Sequence, residues 1–205
     1  MIWSENPGFL FIHIPRTGGT SITQALLDAY PQARVDNFAG KHATAYAAWC
    51  RFGPAMVNWV KFAVLRDPVE IISSDWRNVT AAAKVLPEHR LDVPVEWSQY
   101  LERVSQWDFP QFVRHQWLGE FSPLRPGGFW RTWCRGPAGE DLGVKMLRFD
   151  RLAQDWRRLC ERHGLVVCDL PRLNVGQATR PAEWTDELRS AVCAVCWMDY
   201  ELLAS

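Results

Sequence analysis

The sequence predicts an α/β fold: a mainly parallel central sheet flanked by helices in a three-layer sandwich. Two apolar runs, Phe9 to Ile14 and Lys61 to Arg66, each reach a turn and pass into an apolar stripe at helical spacing. A third run, Val144 to Phe149, leads into an amphipathic stretch over 151–163. Repeated strand–turn–helix units are what a parallel sheet requires, because parallel neighbours need a crossover connection.

The first unit, FLFIHIPRTGGTS over Phe9 to Ser21, organises the rest. Its strand breaks at Pro15, turns on Gly18-Gly19 and restarts at Thr20-Ser21, with Ile22, Ala25, Leu26 and Ala29 as a helical face. A glycine turn lets backbone approach an anion, and the opening amides of the helix have no intrahelical partners. Thr17, Thr20 and Ser21 add hydroxyls, and Arg16 adds a cationic fork. The spacing is neither a Walker A motif nor a Rossmann GxGxxG. Alone it fits an ordinary tight turn as well as a phosphate cradle.

Length and charge set the frame. The 205 residues suffice for one core, and we expect one domain over 1–205. Basic and acidic residues balance at 23 each, against a nucleic-acid coat or a polybasic membrane patch. MIWSENPGFLF has no basic lead and no long apolar stretch, so no signal peptide, no membrane span and a cytoplasmic location are expected. Cys193 and Cys196 have no second ligand pair, which favours buried thiols over a zinc or redox site.

Farther along, Ala33 to Phe38 is a candidate second strand, and Gly40-Lys41-His42-Ala43-Thr44 leads into a helix through Trp49. His42 is a candidate general base, since imidazole titrates near neutrality, or else a surface or capping residue. In the second unit Asp67 suits a helix cap and Pro68 the first turn. Arg66 lies at a strand's carboxyl end, where open α/β sheets bind ligands; a salt bridge to Asp67 or Glu70 is the alternative. Ser73 and Ser74 lie farther into that helix.

Helices are expected over 93–104 and 109–121, a loop over 122–139, and a closing helix over 183–203. Trp97, Trp107, Trp117, Trp130 and Trp133 concentrate in the middle, as core or as a stacking rim. Arg125, Arg131 and Arg135 are candidates for an anionic acceptor or for a solvated face. His13 and His115 compete with His42 as bases, His13 reading as buried in its strand.

Together these segments resemble a known family. IHIPRTGGTSI is similar to the 5′-phosphosulfate loop of PAPS-dependent sulfotransferases, and KFAVLRDPVEIISSDWR to their 3′-phosphate motif, with Ser74 as its serine. GKHATA resembles a segment of bacterial members related to carbohydrate (heparan 2-O type) sulfotransferases. LRFDRLAQDWRRLCERHGL, LNVG and TDELRSAVCAVCWMDYELL resemble the family's later strand-plus-helix, loop and closing helix. Residues 80–143 are least covered and would form a helical acceptor-side insertion.

The resemblance implies a P-loop-like topology and the donor 3′-phosphoadenosine 5′-phosphosulfate (PAPS), with no metal. Arg16, Thr17, Gly18, Gly19, Thr20 and Ser21 would hold its 5′ end, Arg66 and Ser74 its 3′ phosphate, and Arg180 would cover that phosphate. Arg16 and His42 would be catalytic, with a carbohydrate or other hydroxyl compound as acceptor. Arg16 stands where the family usually has lysine. A nucleotide or small-molecule kinase of related fold and a non-catalytic nucleotide-binding module are the alternatives.

Overall fold

The computed structural model describes residues 1–35, 42–89, 94–120, 122–173 and 181–205. A hairpin opens the chain: β1 (Ile2–Glu5) runs antiparallel to β2 (Gly8–Ile12), Ile2 opposite Phe11 and Glu5 opposite Gly8. Helix α1 (Gly19–Ala29) follows, then β3 (Arg34–Val35), which pairs with the outer edge of β1. After α2 (Ala45–Phe52) and a 3₁₀ turn, β4 (Val60–Leu65) lies parallel to β2, with Phe9 opposite Val60 and Ile12 opposite Ala63. Three helices come next: α3 (Pro68–His89), α4 (Val95–Ser105) and α5 (Phe109–Phe112), the last continuing as a π-helical turn over Val113–Leu118. Then α6 (Phe129–Cys134) leads to β5 (Lys145–Arg148), parallel to β4, and α7 (Leu152–His163), α8 (Asp186–Val195) and α9 (Trp197–Ala204) complete the chain.

The resulting α/β fold has a mixed five-stranded sheet in the order β3-β1-β2-β4-β5, parallel through β2, β4 and β5 and antiparallel at the β1 side. Alternation within each strand explains the layering. Phe9, Phe11, Phe62 and Val64 face a cluster closed by Leu26 of α1 and Trp156 of α7. Leu10, Ile12, Ala63 and Leu65 face the opposite cluster, with Ile72 and Trp76 of α3 and Phe112 of α5. Buried on both faces, β2 and β4 read as continuous apolar runs, which is how they are visible in the sequence.

The expected elements differ from the observed ones in identifiable ways. The strand at Phe9 ends at Ile12 rather than Ile14, because the Ile14 amide turns back to the Ile12 carbonyl (3.2 Å) ahead of Pro15. β1 is absent from the sequence reading; its four residues are too few for a period-2 signal, although Ile2, Trp3 and Ser4 are all buried. The expected second strand over 33–38 is described only as far as Val35. The expected loop over 122–139 contains the buried helix α6, and the closing helix is two helices that break at Cys196. Trp117, Trp130 and Trp133 are core residues, so only Trp97 is strongly exposed among the tryptophans of this region. All the cysteines are free thiols, and Cys193 is exposed while Cys196 is buried.

Helix α6 is held by one buried carboxylate. Asp199 of α9 accepts from the Phe129 amide at 2.7 Å and the Trp130 amide at 2.8 Å. These are orphan donors at a helix start, and no local side chain caps them. Asp199 is fully buried, and burial pushes its carboxyl up from 3.8 to about 7, against the pull of the two amides. The folded chain therefore keeps a proton that the unfolded chain gives up. Stability tied to this group is complete below about pH 4 and is lost as pH rises through about 7. Urea unfolding from pH 4 to pH 8 should show the wild-type advantage over Asp199→Asn shrinking, by at most ~1.4 kcal/mol per pH unit. A constant difference would mean that the carboxylate stays ionised on its amides.

Candidate functional site

The parallel strands β2, β4 and β5 all end at the same edge of the sheet. Chain segments leaving those ends are therefore neighbours, and three of them meet. The β2–α1 loop carries Arg16, the end of β4 carries Arg66, and the end of β5 carries Phe149. Arg66 joins them. Its Nη1 donates to the Arg16 carbonyl (3.1 Å), its Nε donates to Glu70 (2.9 Å), and its guanidinium lies 4.2 Å from the centre of the Phe149 ring. Cation–π stacking of this kind leaves the rim of the guanidinium available for hydrogen bonds. The sequence alternative of an Arg66–Glu70 pair is thus realised, within a larger network.

The loop is held in an uncommon backbone conformation. Arg16 has a φ of 62°, the one positive φ at a non-glycine residue among those described. A left-handed arginine costs on the order of 1–2 kcal/mol, so the surrounding bonds must fix it. They do so at both ends: Arg66 holds its carbonyl, and its Nε donates to Asp75 of α3 at 3.0 Å. Both charged side chains are largely buried, at 30% and 15% exposure. Burial raises the Asp75 carboxyl above its ordinary value, and the Arg16 charge opposes that rise. Burial, and then the Asp75 charge, also raise the phenol of Tyr100 on α4.

Gly18 sits at φ 78° as the N-cap of α1, and no side chain caps the helix. The Gly19 and Thr20 amides therefore begin α1 without partners inside it. Thr20 is exposed and Ser21 half-buried. Thr17 is different from the expectation: it is fully buried and its hydroxyl donates inward to the Ile14 carbonyl (2.8 Å), bracing the turn rather than facing outward. On α3, Asp67 caps the helix by accepting from the Val69 amide (2.7 Å). Ser73 donates to the Val69 carbonyl and accepts from the Trp184 indole, so its hydroxyl serves packing. Ser74 lies one helical turn beyond Glu70 on the same face as that partner of Arg66.

His42 is oriented by the segment that leaves β2. Its Nδ1 lies 2.9 Å from the His13 carbonyl, and a carbonyl only accepts, so Nδ1 carries the hydrogen. In the neutral ring Nε2 then bears the lone pair. The His42 carbonyl accepts from the Trp133 indole at 2.9 Å, and the His13 and His42 rings are 4.7 Å apart. Beside His13, a cavity of about 150 Å³ is lined by Met1, His13, Thr20, Thr23 and Val35. His115 is exposed and stacks on Trp107. Arg131 is bonded to the Gly136 and Pro137 carbonyls and Arg135 is paired with Asp141, so both serve their own loop. Arg180 and the Leu-Asn loop from Asn174 onward lie outside the described residues.

The fold thus gathers the sequence-predicted residues Arg16, Gly18, Gly19, Thr20 and Arg66, with Ser74 along α3. It adds Asp75, Phe149 and the His13 carbonyl, which sequence reasoning missed. Nothing in the order of residues shows that the third turn of α3, where Asp75 stands, lies against the first loop. Phe149 had a usable signal, since it ends an apolar run of the same kind as the run ending at Arg66. No protein-family model matches the chain, and no curated protein and no solved structure matches it either.

Gly19 gives a direct test of this geometry. A side chain there would run into the His13 imidazole. Ala in place of Gly ordinarily strengthens a helix by ~1 kcal/mol, but forcing a group into a packed site costs ~1–3 kcal/mol. The second effect should win, so Gly19→Ala should lower the thermal unfolding midpoint. An unchanged or raised midpoint would mean that His13 yields easily.

Proposed function

We propose that the chain is a PAPS-dependent sulfotransferase, moving a sulfuryl group to a hydroxyl of a small molecule or glycan, on a fold of P-loop-like kind. The observation that carries the reading is a pair of cations, Arg16 and Arg66, side by side beyond the ends of neighbouring parallel strands and joined by the bond from Arg66 to the Arg16 carbonyl. PAPS has phosphate at both ends of its ribose, so it matches a paired site better than a single cradle does. The uncapped start of α1 with Arg16 would take the 5′ end, and Arg66 with Ser74 the 3′ phosphate.

In this reading Arg16 and the amides at Gly19 and Thr20 stabilise charge that develops on the leaving 5′ phosphate. His42 Nε2 accepts the acceptor's hydroxyl proton. The hydroxyl oxygen forms its bond to sulfur as the bond from sulfur to the bridging oxygen breaks, giving a sulfate ester and adenosine 3′,5′-bisphosphate. Positioning and charge stabilisation carry most of the effect, as in phosphoryl transfer.

Calorimetry with adenosine 3′,5′-bisphosphate, 5′-AMP and ATP–Mg²⁺ tests the donor site. We expect the bisphosphate to bind best, and Arg66→Ala to weaken it at least ~10-fold, the loss of about one charged hydrogen bond. Preference for ATP–Mg²⁺ would favour a kinase instead. With turnover in hand, His42→Ala should lower kcat by ~10²–10⁴-fold. Tight bisphosphate binding without turnover on any hydroxyl compound would favour a non-catalytic binding module.

A further inference from the structure

Among the described residues, the Arg16 guanidinium is bound by one edge only. Its Nε donates to Asp75, and no bond to either terminal nitrogen is found among the described residues. Asp75 stands on a helix anchored by its own cap at Asp67 and by packing of Ile72 and Trp76 into the core. A rigidly mounted, largely buried carboxylate on the Nε edge fixes the plane of the guanidinium. It leaves the terminal nitrogens as a fork of fixed direction.

We propose that Arg16 and Asp75 are one unit, with Asp75 a positioning residue that aims the Arg16 fork at the 5′ phosphate; the assignment rests on the donor-site reading above. The chemistry of the two cations explains why arginine is required. Guanidinium has donors on two sides and can hold Asp75 and a phosphate at once. Lysine has one nitrogen, which a carboxylate this close and this buried captures. Beside Asp75, then, lysine is the poorer residue, although lysine is what the resemblance leads one to expect here. Removing the charge of Asp75 releases such a lysine to the anion.

The experiment is a double-mutant cycle read by calorimetric affinity for adenosine 3′,5′-bisphosphate, with thermal unfolding as the check on folding. Arg16→Lys should weaken binding about tenfold, the scale of one charged hydrogen bond. Adding Asp75→Asn to Arg16→Lys should recover most of that loss. A merely structural Asp75 gives the opposite result, a double variant weaker than Arg16→Lys alone, and that outcome or strict additivity overturns the assignment. Asp75→Ser replaces the asparagine variant if the latter fails to fold. Absence of bisphosphate binding by the wild-type chain overturns the donor-site reading and the assignment together, whereas wild-type binding without rescue overturns the assignment alone.

Discussion

The parallel register of β2 on β4 is the constraint from which the site follows. With Ile12 opposite Ala63, the chain leaves both strands at one edge, and Arg66 comes within hydrogen-bond reach of the Arg16 carbonyl. The register is held by burial on both faces. A slip of one residue would turn Phe9, Phe11, Phe62 and Val64 away from α1 and α7 and exchange them for the partners of the other layer. Each large side chain buried in this way contributes roughly 1.5–3 kcal/mol, so a misregistered sheet forfeits far more than any loop contact could restore. The left-handed Arg16 is tolerable because that framework is stiff.

Charge within the site is distributed by the same framework. Arg16 meets Asp75 and Arg66 meets Glu70, so the two cations are each compensated on one edge. Burying a guanidinium alone would be expensive, and a carboxylate on one side lowers the cost while leaving other donors in place. The face of Arg66 rests on Phe149, which supplies attraction without using a donor.

What was legible in the sequence was whatever depends on neighbours along the chain. β2, β4 and β5 announced themselves as apolar runs, and Asp67-Pro68 marked the start of α3. The glycine turn and the placing of Arg16 and Arg66 at strand ends were visible for the same reason. Contacts set by tertiary packing were not. Asp75 gives no local sign that it faces a loop far behind it in the chain, and Thr17 looks like an outward donor until its burial is known. Helix α6 was hidden because glycine and proline on either side read as loop, and because the carboxylate that starts it comes from α9. Cys193 and Cys196 look like a pair in sequence, yet the break between α8 and α9 leaves one exposed and the other in the core.

The last helix has a reach that its position at the end of the chain conceals. Asp199 grips the start of α6, α6 carries Trp133, and the Trp133 indole holds the carbonyl of His42. The Leu203 carbonyl, a turn farther on, accepts from Arg148 at the end of β5, next to Phe149 beneath Arg66. The C-terminal residues thus work as a clasp fastened both to the helix that holds His42 and to the end of β5. Trimming the chain before Asp199 would unfasten His42 and the Arg148–Phe149 support of Arg66 together, although neither lies near the cut in sequence.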